Sequence, residues 1–200
     1  MNQTKQEILN AALDLFSQRG FSAVSIRDIC ALVNIKESTV YYHVQNKEAI
    51  LDELLKEFDN RSQSLISKMY SAFPKLNSGI SAGEELFSKI LKEYVDNYLA
   101  DSFCNKVIRI LFIDQLNNPK VQKMYSYWLF EKPLEIQQFT FSVFQKAGII
   151  SFEDSELLAE KFYAPIFFCM SRYLISGELT QEKIEAFKKA VSKHFREILK

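Results

Sequence analysis

Residues 21–73 contain neither glycine nor proline, and this stretch restricts the fold more than any other feature of the chain. Apolar residues recur there, and in most of the remaining sequence, at the three- and four-residue spacing of amphipathic helices. No segment shows the sustained alternation of apolar and polar residues, bounded by hairpin turns, that is typical of strands. The sequence therefore predicts an all-α fold.

Capping and turn residues predict where the helices begin and end. A Ser25-x-x-Asp28 capping box predicts a helix start, and Asn34, which tolerates a left-handed conformation, predicts the end of that helix. A short helix is expected over residues 37–43 and a long one from Lys47, followed by a loop at 74–81. Further helices are predicted at residues 82–100, 102–116, 119–131, 133–147, 152–176 and 180–199, with a second capping box at Ser151-x-x-Asp154.

Residues 25–43 have the spacing of a helix-turn-helix, with a three-residue turn between two short helices. The second helix would direct most of its polar side chains outward: Lys36, Glu37, Ser38, Thr39, Tyr42 and His43. Exposed tyrosine and histidine can donate to phosphate oxygens while their rings pack on sugars, which favours DNA binding. Helical proteins that never contact DNA also have this spacing, so the spacing alone leaves both interpretations open.

The charge of the chain gives little support to nucleic-acid binding. The net charge at pH 7 is +0, and residues 1–47 contain five basic and four acidic side chains. Without a basic stripe, DNA binding would depend on placed side chains, on helix N-termini and on two copies of the domain.

The residue types of most enzyme sites are scarce. The chain has two histidines and three widely spaced cysteines, with no glycine-rich phosphate loop and no nucleophile elbow. We therefore expect no catalytic residues, no metal site and no cofactor, whereas turnover without DNA binding would favour an enzyme. The cysteines lie among apolar residues, which indicates a reducing cytoplasm. The longest apolar run, residues 163–170, is too short for a membrane span.

Residues 8–51 resemble the N-terminal domain of the TetR/AcrR family of transcriptional regulators. Three segments carry the resemblance: Ile8-Leu9-Asn10-Ala11-Ala12, Ser25-Ile26-Arg27-Asp28-Ile29-Cys30-Ala31 and Ile35-Lys36-Glu37-Ser38-Thr39-Val40-Tyr41-Tyr42-His43. The rest of the chain matches the family only in helical plan and length. The resemblance implies a helix-turn-helix DNA-binding domain at residues 1–46 and a helical ligand-binding and dimerisation domain at 47–200.

The resemblance also implies a role for each residue of the helix-turn-helix. The residues that would contact phosphates are Ser25, Tyr41, His43 and Lys47, and those that would face bases are Lys36, Glu37, Ser38, Thr39 and Tyr42. Arg27 would reach either the backbone or a base. Alternatives remain open for three residues: Tyr41 would lie partly in the core, Arg27 would pair with a nearby carboxylate, and Glu37 would only favour the helix N-terminus.

Aromatic residues crowd residues 87–168, and the segment 125–130 is aromatic nearly all round. An ordinary core explains most of them, but the family resemblance implies a ligand cavity among the middle helices, and such cavities are mostly apolar. The candidate lining residues are Arg109, Phe112, Tyr125, Trp128, Phe139 and Phe167. Arg109 is either buried, with Asp114 or a ligand carboxylate as its partner, or exposed on the solvent face.

The last two helices suggest how a dimer would form. Apolar residues make one continuous stripe in 180–199 and surround the helix 152–176. Burial within one chain would explain this, but the resemblance implies a homodimer that packs these helices into a four-helix bundle. We therefore expect a regulator, a repressor by resemblance, that binds palindromic operator DNA as a dimer and is released by a small apolar or aromatic effector. The alternative is a TetR-like DNA-binding protein that acts through a protein partner without an effector.

Overall fold

The computed structural model describes residues 3–72, 88–89, 91–146, 148, 150–151 and 154–198. Helices are the regular elements in these residues, which contain no strand, and the all-α prediction is confirmed. The predicted loop at 74–81 and the start of the helix predicted at 82–100 lie outside the described residues. None of the helices in the described part of the chain has the length and hydropathy that a membrane crossing requires.

Three helices form the N-terminal part of the chain: α1 (Gln3–Arg19), α2 (Ile26–Val33) and α3 (Glu37–His43). Gly20 follows α1 with φ +80°, and Asn34 ends α2 with φ 58° while its N–H donates to the carbonyl of Cys30. The left-handed conformation predicted for Asn34 is therefore confirmed. Ile29 of α2 and Val40 of α3 are both buried where the two helices pack together, and the opposite face of α3 is left toward solvent.

The next helix, α4 (Lys47–Ala72), begins at the predicted residue and is 26 residues long. Its first turn is capped by Asn46, whose Oδ1 accepts a hydrogen bond from the amide of Ala49 at 2.7 Å. After a π-helical segment, Val95–Leu99, comes α5 (Ser102–Asp114), which packs along α1. An ion pair of 2.5 Å between Lys106 Nζ and Asp14 Oδ1 joins α5 to α1.

The middle of the chain forms one continuous helix. It consists of α6 (Pro119–Ser126), a π-helical segment (Tyr127–Glu131) and α7 (Lys132–Lys146). The prediction of two helices that separate near residue 132 is therefore wrong, and Pro133 lies inside the continuous helix. The wider π-helical turn precedes this proline, which cannot donate the backbone hydrogen bond of a regular α-helix.

Two further helices close the chain. They are α8 (Ser155–Cys169), which continues as a π-helical segment (Met170–Ile175), and α9 (Gln181–Ile198). Asp154 caps α8, because its Oδ1 accepts from the amides of Glu156 at 3.1 Å and Leu157 at 3.0 Å. The predicted capping box with Ser151 as the cap is therefore wrong, since the carboxylate three residues later takes that position.

The chain divides into two compact units. The first comprises Met1–Gln63 and Ser102–Tyr125, with a core that includes Phe16, Ile29 and Phe58. The second comprises Ser64–Asp101 and Ser126–Lys200 and has an aromatic core that includes Phe141, Phe144, Phe162 and Phe187. The functional division into residues 1–46 and 47–200 stays a prediction.

Candidate nucleic-acid interface

The N-terminus of α2 is closed by a reciprocal capping box. The amide and hydroxyl of Ser25 donate to Asp28 Oδ2 at 2.7 and 2.6 Å, and the amide of Asp28 donates to Ser25 Oγ at 3.2 Å. The hydrogen bonds from Ser25 hold the pKa of the Asp28 carboxyl below its usual range. The capping box predicted from the sequence is confirmed, and a phosphate that reaches Ser25 would compete with the Asp28 carboxylate for the same donors.

The short helix α3 turns most of its polar side chains toward solvent. Lys36, Ser38, Tyr41 and Tyr42 are exposed, and Tyr42 reaches 83% exposure with its ring edge-to-face against His43 at a centroid distance of 5.1 Å. The half-buried members of the predicted set are Glu37, Thr39 and His43. The exposure of Tyr41 argues against a place in the core, and the helix therefore offers hydroxyl, phenol, imidazole and ammonium groups on one outward side.

An ion pair joins α2 to α3 on this face. Arg27 Nε lies 2.9 Å from Glu37 Oε1, with the Arg27 side chain 85% exposed. Such an exposed pair contributes at most about 1 kcal/mol to folding, so its two charges can be exchanged for other partners at little cost. The pairing of Arg27 with a nearby carboxylate, one of the alternatives raised from the sequence, is thus present in the free chain. The Arg27 side chain still faces solvent.

Lys47 is bound to the turn between α1 and α2. Its Nζ donates to the carbonyls of Phe21 at 2.9 Å and Val24 at 2.7 Å, and it lies 4.2 Å from the centroid of the Phe21 ring. An ammonium has three donors, so one remains for another acceptor. The sequence predicted a phosphate contact for Lys47 but not this internal role, because the two carbonyls lie more than twenty residues away along the chain.

Five of the predicted DNA contacts share one open concavity of about 610 Å³. Its lining residues are Ser22, Ala23, Val24, Ser25, Ile26, Arg27, Glu37, Tyr41 and Lys47. The other predicted contacts, Lys36, Ser38, Thr39, Tyr42 and His43, lie on α3 or at its start. This face therefore has the features that duplex binding requires: helix-turn-helix geometry, an exposed α3 and an adjacent concavity lined by Arg27 and Lys47.

The comparisons with known proteins agree with this geometry. Residues 8–54 match the model of the family described as bacterial regulatory proteins, tetR family. Over these residues the chain is similar to the tetR family. The matched segment contains α1, α2, α3 and the beginning of α4, and it therefore covers every predicted DNA contact.

Curated relatives are similar to this chain over part of their length. The transcriptional repressor KstR2 of Rhodococcus jostii is 24% identical over 115 residues, which cover 48% of this chain and 56% of that protein. The negative transcriptional regulator IcaR of the biofilm operon in Staphylococcus epidermidis is 44% identical over 46 residues, or 23% of this chain and 25% of that protein. The chain thus spans about half of one relative and a quarter of the other.

Solved structures share the fold over nearly the whole chain. A transcriptional regulator from Aquifex aeolicus is 19% identical, with a TM-score of 0.66 and coverage of 98% of this chain and 99% of that one. The ketosteroid transcriptional regulator KstR2 of Mycobacterium tuberculosis is 18% identical, with a TM-score of 0.65 and coverage of 100% and 94%. At these identities the likeness establishes the helical fold of the chain beyond residue 54 and nothing further.

The predicted ligand residues fall into both compact units. In the first unit, Arg109 is half-buried, between the two alternatives raised for it, and Phe112 packs edge-to-face against Tyr125 at 5.4 Å. In the second unit, Trp128 is buried against Tyr127 at 4.9 Å, exposed Phe139 contacts Tyr70 at 5.1 Å, and half-buried Phe167 contacts Phe130 at 5.0 Å. The ligand cavity itself stays a prediction.

In the described part of the chain, the cysteines and acidic residues form neither a reactive thiol site nor a metal site. Burial is the main cause that raises the pKa of the Cys30 and Cys169 thiols, which disfavours the reactive thiolate. Across the residues described, no group of three or more His, Cys, Asp or Glu side chains is placed to hold a metal ion.

Proposed function

We propose that this chain is a cytoplasmic, ligand-responsive transcriptional regulator of the tetR family that represses by binding operator DNA as a homodimer. The observation that carries the proposal is the outward face of α3, with Tyr42 at 83% exposure beside the cationic concavity. A short helix with such an exposed polar face can enter a major groove. The names of KstR2 and IcaR, a repressor and a negative regulator, support the direction of regulation.

The contacts divide by chemistry into two groups. Ser25, Tyr41, His43 and Lys47 would hold phosphates, because they offer donors around the edge of α3. The residues proposed to face base edges are Lys36, Glu37, Ser38, Thr39 and Tyr42. Arg27 would leave Glu37 for a phosphate or a guanine on binding, since their exposed ion pair costs little to break.

Selection from random duplex DNA tests this proposal directly. We expect enrichment of a two-fold symmetric sequence whose half-sites lie about one helical turn apart, because a symmetric dimer presents two copies of α3. Arg27→Ala should then weaken binding and reduce the slope of log affinity against log salt concentration by the amount that one phosphate contact contributes, about 0.9. Lys123→Ala, an exposed lysine in α6 outside the proposed contacts, is the charge-matched control and should change neither quantity. Equal affinity for selected and random duplexes would refute the proposal.

The proposed dimer uses the last two helices. The stripe of α9 is buried within the chain, where Phe195 packs edge-to-face against Phe162 of α8 at 5.8 Å. On α8, Leu157 and Phe168 remain exposed, and they lie on one side of the helix at a spacing of eleven residues. Exposed apolar side chains of this size on a single helix favour burial against a second copy.

A charge at position 168 tests this interface. Phe168→Glu should produce a monomer in sedimentation experiments and abolish selective DNA binding, because the glutamate would be buried without a partner. Leu116→Glu is the control: Leu116 is 88% exposed in the first compact unit and outside the proposed interface. If Phe168→Glu remains a dimer, another surface mediates association.

The proposed effector is small and apolar or aromatic. Support comes from the aromatic second unit and from relatives whose names mention a ketosteroid regulator and a fatty acid degradation regulator. Trp128 is the one tryptophan of the chain, so its fluorescence reports directly on occupation of the candidate site. A panel of aliphatic and aromatic compounds should yield one that changes this fluorescence and lowers DNA affinity, with DNA lowering its affinity by the same factor. If no compound of the panel has these effects, the result would favour the alternative, a DNA-binding protein that acts through a protein partner without an effector.

A further inference from the structure

The C-terminal end of α5 is bonded to the turn between α1 and α2. Asp114, the last residue of α5, is buried, and its Oδ2 accepts a hydrogen bond from the amide of Phe21 at 2.8 Å. Gly20 lies so close that a methyl group added there would stand 2.8 Å from Ile113 Cγ2 and 3.3 Å from Asp114 Oδ1. The turn and the end of α5 therefore form a tight contact within the first compact unit.

The same turn carries Lys47. The amide of Phe21 donates to Asp114, and the carbonyl of the same residue accepts from Lys47 Nζ at 2.9 Å. Lys47 also bonds the carbonyl of Val24, which directly precedes the Ser25 cap of α2. A single residue, Phe21, thus connects a carboxylate of α5 to an ammonium that lines the candidate DNA-binding concavity.

Helix α5 also contains Arg109 and Phe112, two of the candidate ligand residues. These residues lie five and two positions before Asp114, so a rigid displacement of α5 would move all three together. Loss of the Asp114 carboxylate would leave the buried amide of Phe21 without its acceptor, which is costly. The bond therefore favours one arrangement of the turn over any other.

We propose that Asp114 is a positioning residue that couples α5 to the DNA-binding face through the Phe21 amide and Lys47. With the bond made, the turn holds Lys47 and the start of α2 in the arrangement that binds DNA. With the end of α5 displaced, the turn is released and DNA affinity falls. The inference rests on the proposed function and assigns the regulation of the DNA-binding face to the α1–α2 turn. If a displacement were transmitted through the length of α4 instead, Asp114 would not be required.

The test measures DNA affinity and backbone exchange in the same samples of the full chain. In Asp114→Ala we expect the Phe21 amide to exchange much faster and DNA affinity to fall about tenfold at a temperature where the chain remains folded. Asp114→Asn keeps an acceptor oxygen, so most of the exchange protection of the Phe21 amide and most of the DNA affinity should be retained. A merely structural role would lower the melting temperature and leave the affinity of the folded chain unchanged, and that result would overturn the proposal.

Two controls make the outcome specific. Lys106→Ala removes a different polar contact of α5, the ion pair with Asp14 of α1, and should leave DNA affinity unchanged. The losses from Asp114→Ala and Lys47→Met should be far from additive in the double variant, because both act on one turn. Additive losses would overturn the proposal.

The remaining outcomes separate this inference from the proposed function. If Asp114→Ala does not fold, exchange in the wild-type chain decides: saturating operator DNA should slow exchange of the Phe21 amide, and an unchanged rate would overturn the proposal. If the wild-type chain selects no DNA sequence, the proposed function fails as well. If it selects one and Asp114→Ala binds equally well, only the coupling fails.

Discussion

The hydroxyl of Tyr163 in α8 donates to the carbonyl of Leu129 at 2.8 Å, and Leu129 lies four residues before Pro133. In a regular helix that carbonyl would accept from the amide of residue 133, which proline lacks. The tyrosine therefore supplies the donor that the backbone cannot, in a buried region of the second compact unit. A polar contact across 34 residues thus permits the helix to continue through a proline.

Tyr163→Phe should lower the free energy of unfolding by about 1–3 kcal/mol, because it leaves a buried carbonyl without a donor. Urea denaturation followed by circular dichroism measures the change. Tyr173→Phe is the control, since in the described part of the chain its ring contact with Arg172 is preserved and no hydroxyl bond is lost. Equal losses in both variants would contradict the role assigned to Tyr163.

Gly20→Ala should destabilise the chain more than Gly148→Ala. Both glycines have positive φ, +80° and +68°, so alanine costs about 1 kcal/mol in backbone strain at either position. At Gly20 the new methyl would also meet Ile113 Cγ2 at 2.8 Å, whereas at Gly148 no described atom lies within 4 Å. Thermal unfolding of both variants measures the difference. Similar melting temperatures would show that the end of α5 yields readily to the turn.

The parts of the fold that sequence reasoning predicted are local ones. The Ser25–Asp28 capping box and the left-handed Asn34 depend on residues three or four positions apart, and both are present. The second capping box was wrong because Asp154 itself satisfies two amides. Competition between two neighbouring caps depends on side-chain geometry, which a residue pattern does not contain.

The long-range contacts that hold the candidate site in place could not be predicted from the sequence, for a different reason. The outward face of α3 follows from helical periodicity, so its exposure could be predicted residue by residue. Asp114 lies 93 residues from Phe21, and Lys47 lies 26 residues from the carbonyl it binds. No local pattern links such pairs, so the residue pattern of one sequence contains no signal for them.

The capping carboxylate gives the chain a defined pH dependence. Hydrogen bonds from Ser25 lower the pKa of Asp28 in the folded chain, so its stabilising effect is present above the unfolded pKa of about 4 and is lost as pH falls through the folded value. Asp28→Asn should therefore be less stable than the wild type at pH 7, and the difference should shrink in acid. Unfolding of both chains from pH 7 to pH 2 measures it. A stability difference of equal size at pH 7 and at pH 2 would contradict this role for Asp28.

Lys47→Met should weaken binding to all duplexes by a similar factor and lower the salt dependence by about one contact. The third donor of the ammonium would be lost to phosphate, and the carbonyls of Phe21 and Val24 would lose their shared donor. Affinity measured at several salt concentrations separates the two effects. A weaker affinity with an unchanged salt dependence would assign Lys47 to the turn alone and refute the phosphate contact.

Tyr42→Ala should relax sequence preference while it leaves stability nearly unchanged. The side chain is 83% exposed and touches its neighbour His43, so its removal costs little packing. It faces solvent on the side of α3 that is proposed to read bases. Selection from random DNA should return the same half-site with one or two positions degenerate, because each base contact contributes about 1–3 kcal/mol of discrimination. Tyr42→Phe retains the ring and should keep the preference if apolar contact with a base carries it, and lose it if the hydroxyl does. An unaltered selected sequence in Tyr42→Ala would remove Tyr42 from the base-reading set and shift that role to the residues at the start of α3.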